Sequence, residues 1–458
     1  MGKLFGTDGI RGTANIYPMT PEIALEVGRA VAYKFKKTGN NKTSIVIGKD
    51  TRISGDMLES ALISGICSAG ADSAVAVGVI PTPAVAYITR YLKADAGIVI
   101  SASHNPFYDN GIKLFKGDGF KLSDKQESEV ENMILENKGF PEGDFETSLK
   151  SAVEPGVVKK IFDADAIYSK FLKKTVSQDC RFDGMKIVLD CSNGATYKIA
   201  PLLFAELGAK VEAISINPDG KNINKDCGSE HTTSLIEKVL QTGAHAGFAF
   251  DGDGDRLIAV DEKGNIITGD RIIAICANYL SQKNRLKNNT VVSTVMSNMG
   301  LGAALKRLKI KHIMSKVGDR YVMEKMLSSG AVMGGEDSGH MIFLDRHTTG
   351  DGILSAITLM EAMSYEASPL SELSKIMTVF PQVLINVEVK TKPDLTSNRK
   401  INDIIKAVEA GLGKEGRVLV RYSGTQQICR VMVEWPEIDE TRMCCQKIAD
   451  VIKGELGA

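Results

Sequence analysis

The 458-residue sequence has no excess of charge of either sign. It contains 56 lysines and arginines and 56 aspartates and glutamates, so its formal net charge is zero. Proteins that bind nucleic acid through the phosphates normally carry a basic excess. Long apolar runs are also missing, since no stretch reaches the ~18 residues that a membrane-spanning helix requires. We therefore expect neither a nucleic acid nor a membrane as a partner.

Paired cysteines are absent as well. The chain has eight cysteines, but none forms a CxxC pair, and most of them lie in apolar stretches. This distribution is typical of reduced thiols in the core of a cytosolic protein rather than of a disulfide framework. The first residues, MGKLFGTDGIRG, also lack the apolar segment of a secretory signal peptide. We predict a cytoplasmic protein.

One structural unit is repeated three times along the chain. The segments 43–80, 185–216 and 289–317 each begin with a run rich in Val and Ile, followed by a polar loop, an amphipathic stretch and a second apolar run. This order predicts strand, loop, helix and strand, the unit of a mostly parallel sheet covered by helices. Functional groups of such sheets gather in the loops at the carboxyl ends of the strands.

The last part of the chain has a different pattern. The runs 383–390, 416–424 and 429–436 are typical of antiparallel strands, and two amphipathic stretches predict helices packed on one face of them. We therefore predict an α/β protein of three similar mixed α/β domains and a C-terminal α+β domain. The expected boundaries are 1–155, 156–256, 257–377 and 378–458.

An acidic loop between two apolar runs is the strongest chemical signal. Asp251, Asp253 and Asp255 alternate with glycines in DGDGDR, and three such carboxylates repel one another unless a cation balances their charge. Hard divalent cations prefer oxygen ligands. The pattern favours a magnesium site. The alternatives are a solvated acidic turn and an EF-hand calcium loop, although that loop requires glycine where Arg256 stands.

Two other polar loops are candidates for binding. The stretch 421–430 places arginines and hydroxyls around Gly424, a combination that suits a phosphate. The stretch 334–340, GGEDSGH, could bind the hydroxyls of a sugar. Either stretch could instead be an ordinary exposed turn.

A third loop follows the apolar run 97–100 and reads SASHNP. A serine at this position could be a helix N-cap. No Gly-x-Ser-x-Gly elbow surrounds it, so a hydrolase triad is disfavoured. Beside a magnesium loop, a serine could carry a phosphoryl group.

These loops occur in the order found in the α-D-phosphohexomutases, and the whole chain resembles that family. The resemblance implies four domains around a central cleft and a phosphoserine at the serine before the histidine, which is Ser103 and not Ser101. It implies that magnesium is bound by Ser103 and the three aspartates. It also implies two groups of substrate-binding residues, which are Glu336, Ser338 and His340 for the sugar, and Arg421, Ser423, Gly424, Thr425 and Arg430 for a phosphate.

Within the family, the segments 5–12, 101–115, 217–231 and 343–352 are similar to the bacterial branch that interconverts glucosamine 6-phosphate and glucosamine 1-phosphate. The implied route is a phosphoserine enzyme and a 1,6-bisphosphate intermediate, with Mg²⁺ as cofactor and glucosamine or glucose 1,6-bisphosphate as activator. The alternatives are a phosphomannomutase/phosphoglucomutase of the same family and a metal-dependent sugar phosphatase. The partner is then a phosphosugar, and the protein is a monomer or a homodimer.

The resemblance also suggests roles for charged residues near the reacting group. Arg11, Arg52, Lys113 and Arg256 are candidates for stabilising the transferred phosphoryl group, and Lys113 or His340 for moving protons. Asp337 stands where the glucosamine branch usually has glutamine. Its carboxylate either pairs with the ammonium group of glucosamine or only steadies the loop.

Overall fold

The computed structural model describes residues 4–6, 8–36, 42–136, 155–178, 180–413, 415–423 and 427–457. Within these ranges no helix is long and apolar enough to cross a membrane. The described strands are β1 Phe5–Gly6, β2 Gly9–Thr13, β3 Ser44–Lys49, β4 Ser73–Val79, β5 Ala96–Ile100, β6 Asp109–Lys116, β7 Val157–Lys160, β8 Lys186–Asp190, β9 Lys210–Ile214, β10 Ala246–Phe250, β11 Leu257–Asp261, β12 Ile266–Ile267, β13 Thr290–Thr294, β14 Lys311–Ser315, β15 Met333–Gly335, β16 Met341–Phe343, β17 Gln382–Glu388, β18 Arg417–Tyr422 and β19 Ile428–Glu434. The described α-helices are α1 Pro21–Lys34, α2 Gly55–Ser68, α3 Thr82–Tyr91, α4 Asp124–Glu136, α5 Ala164–Thr175, α6 Ile199–Glu206, α7 Thr233–Thr242, α8 Gly269–Gln282, α9 Met299–Arg307, α10 Asp319–Ser329, α11 Gly352–Glu366, α12 Leu370–Leu373, α13 Arg399–Leu412 and α14 Ile438–Leu456.

The first sheet has seven strands in the order β1-β2-β6-β5-β3-β4-β7. Its apolar strands pack with α1 and α2 in one buried core. The two helices approach closely because each presents a glycine to the other. A Cβ at Gly28 would lie 2.4 Å from the carbonyl oxygen of Leu62, and a Cβ at Gly65 would lie 2.1 Å from that of Leu25. Strands β3 and β5 of this sheet pair in parallel, so their carboxyl ends lie side by side.

The second and third sheets have the orders β12-β11-β10-β8-β9 and β14-β13-β15-β16. In all three predicted repeats the two strands pair in parallel, as β3 with β4, β8 with β9, and β13 with β14. The repeat pattern and the mixed α/β class are confirmed.

Two of the expected boundaries cut through these sheets. Strand β7 lies beyond residue 155 but pairs with β4 of the first sheet. Strands β11 and β12 lie beyond residue 256 but pair within the second sheet. Composition alone does not assign a domain to the edge strand β7 or to β11, the hairpin partner that follows the acidic loop. We therefore propose boundaries after β7 and after β12.

The chain divides into two compact units. The first comprises residues 1–295 and 311–375, and the second comprises residues 296–310 and 376–458. In the second unit, β17, β19 and β18 form an antiparallel sheet. Residues of this sheet share a buried core with α13 and α14. The predicted C-terminal α+β domain is therefore confirmed, and the compact unit that contains it also includes helix α9.

Candidate active site

The polar loops that follow β5 and β10 meet within the first unit. Ser103 lies in the loop after β5, and its hydroxyl donates a hydrogen bond of 2.5 Å to Oδ2 of Asp251, which follows β10 directly. Both side chains are buried. Ser103 has a φ of +54°, a conformation that residues other than glycine seldom adopt. The nucleophile proposed from the sequence is therefore held against the acidic loop in a strained backbone.

The three aspartates of that loop converge. Ligand oxygens of Asp251, Asp253 and Asp255 all lie within 4.8 Å of one another, and all three residues are buried. Gly254, with a φ of +71°, allows the chain to turn between them. The Oδ1 atoms of Asp253 and Asp255 are buried without a hydrogen-bond partner among the described residues. Buried carboxylate oxygens without partners fit a hard divalent cation such as Mg²⁺, and the flanking strands β10 and β11 exclude the helix-loop-helix of an EF-hand.

Lys113, on β6, is the cation closest to this loop. Its Nζ lies 2.8 Å from Oδ2 of Asp253, 3.4 Å from Oδ2 of Asp255 and 3.1 Å from Oδ2 of Asp8. Burial lowers the pKa of Lys113, but the three carboxylates outweigh it and hold the pKa well above its ordinary value. Lys113 is therefore charged in the folded protein.

The pKa values of the two aspartates that face Ser103 and Lys113 are shifted in opposite directions. Burial raises the pKa of Asp253, but Lys113 and the hydroxyl of Thr82, at 2.6 Å, bring it below its ordinary value. Burial and the two neighbouring aspartates raise the pKa of Asp251 well above its ordinary value. A bound cation would favour the charged form of Asp251.

Asp8 is a site residue that the sequence reasoning did not single out. Its carboxylate pairs with Arg11 at 2.5 Å, Lys113 at 3.1 Å and Lys121 at 2.5 Å. Burial raises the pKa of Asp8, and the three cations together bring it well below its ordinary value. The signal was present in the sequence, because Asp8 belongs to the same FGTDGIRG stretch as Arg11. Asp8 therefore fixes two of the predicted catalytic cations, Arg11 and Lys113.

Arg256 ends the acidic stretch just before β11, and His340, between β15 and β16, lies close to the same carboxylates. A backbone bridge joins the two residues. Nε of Arg256 lies 4.0 Å from carboxylate oxygens of Asp251 and Asp255, and Nε2 of His340 lies 3.8 Å from Oδ2 of Asp255. The imidazole is buried, and neither ring nitrogen has a hydrogen-bond partner among the described residues. A polar ring in this state is available to a ligand.

The other residues of the predicted sugar loop lie just before His340. Oε1 of Glu336 accepts a hydrogen bond of 3.0 Å from the backbone N–H of Gly318. Burial raises the pKa of Glu336. Ser338 is partly buried in the same turn. The structure therefore brings Glu336, Ser338 and His340 together on one loop of the first unit.

Asp337 points to a helix rather than to these groups. It is exposed, and its Oδ1 accepts a hydrogen bond of 3.1 Å from the backbone N–H of Asp270 at the start of α8. Its carbonyl oxygen accepts a second one from Gly269. Of the two roles considered for Asp337, the structure favours steadying the loop.

Two residues near Ser103 are structural supports of its loop. No helix begins at Ser101, so the N-cap interpretation is wrong. Its hydroxyl accepts a hydrogen bond from the Ser103 backbone N–H and donates one to Asp50. Arg52, expected to stabilise the transferred group, has all three guanidinium nitrogens bound to Asp50 and to backbone carbonyls of residues 103–109. It has no free donor to offer a phosphoryl group, so that expectation is wrong.

The predicted phosphate loop lies in the second unit. Arg421 on β18 stands directly opposite Arg430 on β19. Like charges opposite each other destabilise a strand pair unless an anion balances them. Burial lowers the pKa of Arg421, and the charge of Arg430 adds to that effect. Ser423 is buried beside them, whereas Gly424 and Thr425 lie outside the described residues.

Comparison with known proteins agrees with this geometry along the whole chain. Four family models of phosphoglucomutase/phosphomannomutase match: domain I at residues 2–139, domain II at 165–264, domain III at 268–380 and the C-terminal domain at 384–451. A phosphoglucosamine mutase of Syntrophus aciditrophicus is 58% identical over 100% of both chains. One from Syntrophobacter fumaroxidans is 55% identical, again over 100% of both chains. The chain belongs to the phosphoglucomutase/phosphomannomutase family.

Solved structures show the same fold at much lower identity. A phosphoglucomutase/phosphomannomutase family protein of Burkholderia thailandensis superimposes with a TM-score of 0.78 at 24% identity, covering 99% of both chains. An N-acetylphosphoglucosamine mutase of Aspergillus fumigatus, in complex with GlcNAc-6P and magnesium, does so with a TM-score of 0.67 at 16% identity, covering 98% of this chain and 95% of that one. As a phosphohexomutase, the chain is an isomerase, and its buried aspartate triad fits the metal on which the family depends.

Proposed function

We propose that this phosphohexomutase interconverts glucosamine 6-phosphate and glucosamine 1-phosphate. The observation that carries the proposal is the hydrogen bond from the Ser103 hydroxyl to Asp251, in a loop where two buried carboxylate oxygens have no hydrogen-bond partner among the described residues and fit a divalent cation. The choice of sugar is supported by the relatives at 58% and 55% identity, both phosphoglucosamine mutases. A phosphatase would need the same nucleophile and metal but no separate site for a second phosphate.

In the proposed reaction, phospho-Ser103 gives its phosphoryl group to the free hydroxyl of the sugar phosphate. The bond between phosphorus and Ser103 Oγ breaks, a bond from phosphorus to the sugar oxygen forms, and the proton of the sugar hydroxyl leaves. The resulting 1,6-bisphosphate reorients in the site, and its other phosphoryl group is transferred to Ser103. Positioning and neutralisation of charge supply most of the catalysis in such transfers.

The residues of the first unit divide this work. Lys113, held charged by three carboxylates, and Arg11 and Arg256 stabilise the negative charge of the transferred group. His340, whose buried ring nitrogens have no hydrogen-bond partner among the described residues, is the candidate for moving the proton. Glu336 and Ser338 would bind sugar hydroxyls.

Asp251, Asp253, Asp255 and Ser103 would hold the magnesium ion, which, when bound, offsets charge on the phosphoryl oxygens. We further propose that Arg421, Ser423, Gly424, Thr425 and Arg430 bind whichever phosphate is not reacting. The directly opposed arginines support this role, because a phosphate would balance their repulsion. Glucosamine or glucose 1,6-bisphosphate would serve as the activator that phosphorylates Ser103.

An incubation with glucosamine 6-phosphate, repeated in parallel with mannose and glucose phosphates, tests the proposal. The protein is mixed with glucosamine 6-phosphate, Mg²⁺ and a trace of glucose 1,6-bisphosphate, and the products are separated. Glucosamine 1-phosphate is the expected product. Release of inorganic phosphate would instead identify a phosphatase, and faster turnover of mannose or glucose phosphates would identify the other branch of the family.

The pair Ser103→Ala and Ser101→Ala tests the nucleophile. We expect no turnover from Ser103→Ala and only a moderate loss from Ser101→Ala, because Ser101 supports the loop. Phosphopeptide analysis of the active enzyme should place the phosphate on residue 103, and a phosphate on residue 101 would refute the assignment.

A further inference from the structure

The backbone carbonyl of Ser103 is held by side chains from two distant parts of the chain. Nη2 of Arg52 donates hydrogen bonds of 2.9 Å to the carbonyl oxygen of Ser103 and 2.8 Å to that of Asn105. Nδ2 of Asn224 donates to the same two oxygens, at 2.9 and 3.0 Å. Two donors therefore bridge the same pair of carbonyls, which lie on either side of His104.

Arg52 is itself fixed in place. It is buried after β3, its Nε bonds Asp50 at 2.8 Å, and its Nη1 donates to the carbonyl of Asp109 at 3.0 Å. Asp50 also accepts the hydroxyl of Ser101, which in turn accepts the backbone N–H of Ser103. Asp50 therefore holds the N–H of Ser103 through the Ser101 hydroxyl, and it holds the carbonyl oxygen of Ser103 through Arg52.

Asn224 reaches the same carbonyl from the second domain. It belongs to the loop between β9 and α7, it is 9% exposed, and its backbone N–H donates to the carbonyl of Ser192 at 2.9 Å. Gly252 of the acidic loop packs against the same carbonyl. A Cβ at Gly252 would lie 2.6 Å from the Ser103 carbonyl oxygen and 2.8 Å from Nδ2 of Asn224. The Ser103 carbonyl therefore sits in a cradle built by three chain segments.

The contacts to the Ser103 carbonyl are needed because the backbone of Ser103 is strained. A serine in the left-handed region is strained and persists only where its surroundings impose that conformation. Relaxing a φ of +54° requires rotation about the N–Cα bond of Ser103, which moves its carbonyl and its side chain together, so a fixed carbonyl prevents it. That rotation would also swing the Ser103 hydroxyl away from Asp251.

We propose that Asn224, together with Arg52, is a positioning residue for the nucleophile, fixing the Ser103 carbonyl so that its hydroxyl stays aimed at the metal-binding aspartate. The proposal rests on the proposed role of Ser103 as carrier of the phosphoryl group. Asn224 is the informative partner, because it ties the Ser103 loop to the domain that carries the acidic loop.

The test is Asn224→Gly, since glycine tolerates the φ of +58° at this position and the change removes the side chain that carries the donating amide. Its control is Asp226→Gly in the same loop, an exposed residue with a φ of +53°. We expect Asn224→Gly to lower kcat by roughly tenfold to a hundredfold, the effect of misplacing a reacting group, with KM for glucosamine 6-phosphate changed by less than about twofold. Asp226→Gly should match the wild type in both constants.

Thermal unfolding and phosphopeptide analysis complete the experiment. A purely supporting role for Asn224 predicts a lower Tm with kcat and KM close to wild type, and that result would overturn the inference. An Asn224→Gly variant that turns over like Asp226→Gly would also overturn it, even with the phosphate found on residue 103. A wild-type enzyme without phosphate on residue 103 would instead refute the proposed function. If Asn224→Gly fails to fold, Asn224→Asp, which keeps the size but loses the donor, takes its place under the same criteria.

Discussion

Asp253 uses its two carboxylate oxygens differently. Oδ2 is bound by Lys113 at 2.8 Å and Thr82 at 2.6 Å, whereas Oδ1 is buried without a partner among the described residues. Asp253→Asn replaces a charged ligand by a neutral amide. We expect Mg²⁺ affinity to fall by about tenfold or more, since cation affinity follows the charge of the ligand set, with part of the activity recovered at high Mg²⁺.

Titration calorimetry with MgCl₂ measures this change. The matched control is Asp261→Asn, which alters a buried aspartate at the end of β11 that accepts backbone hydrogen bonds from residues 263 and 265. It should lose stability but keep the wild-type affinity for Mg²⁺. An Asp253→Asn protein that binds Mg²⁺ like the wild type would show that the ion binds elsewhere.

Arg421 predicts a different kinetic signature. A group that holds the non-reacting phosphate serves both directions of the reaction, so Arg421→Ala should raise KM for both sugar phosphates. A charged hydrogen bond to a phosphate contributes about 1.5–3 kcal/mol, so kcat/KM should fall at least about tenfold. Steady-state kinetics in both directions measures it.

The control for this variant is Arg399→Ala, which removes a fully solvated arginine from α13 of the same unit. Its kinetics should not differ from wild type. If Arg421→Ala impaired only one direction, the two phosphates could not share this site.

At the scale of single elements, Asp337 acts on helix α8. Its carboxylate accepts the backbone N–H of Asp270 and places negative charge at the helix N-terminus. Asp337→Ala should therefore lower the free energy of unfolding by about 0.5–2 kcal/mol and leave the ratio of glucosamine to glucose turnover unchanged. Denaturant unfolding and competition kinetics measure the two quantities. A several-fold fall in the turnover ratio would instead show that Asp337 contacts the sugar.

The elements themselves were largely predictable from the sequence. Apolar runs such as 97–100 and 246–250 become the buried strands β5 and β10 because their side chains are apolar on both faces. The loops after them carry the chemistry because parallel strands bring their carboxyl ends together. Local pattern was therefore sufficient for the strands, for the helices of the repeats and for the position of the acidic loop.

The long-range partners were not predictable in this way. Lys113 and Asp253 are 140 residues apart in the chain, and Asn224 and Ser103 are 121 residues apart. No local period encodes these contacts, because they depend on how whole sheets pack. The same reason explains Arg52, since its neighbours in the sequence do not reveal that backbone carbonyls would occupy its guanidinium group.

At the scale of the first unit, one buried histidine connects chain segments that lie next to each of the three sheets. His347, which follows β16, packs its ring 5.2 Å from Phe171 on α5 and 6.4 Å from Tyr87 on α3. Its Nδ1 accepts the backbone N–H of Thr348, so its Nε2 donates to the carbonyl oxygen of Pro83 at 2.9 Å. This arrangement requires the neutral ring, because Nδ1 must remain an acceptor.

The last prediction concerns acid stability. Burial, with a smaller contribution from Arg90, lowers the pKa of His347 from 6.5 to about 4. The native state therefore resists protonation, and the stabilisation is complete above pH 6.5 and declines as the pH falls towards 4. At pH 5 the loss amounts to about 2 kcal/mol.

His347→Gln cannot titrate, so its urea midpoint should change less than that of the wild type between pH 7 and pH 5, although it is less stable at pH 7. His231→Gln, which replaces an exposed ring, should keep the wild-type pH dependence. If wild type and His347→Gln showed parallel pH profiles, loss of the contacts that His347 makes with α3 and α5 would not limit acid unfolding.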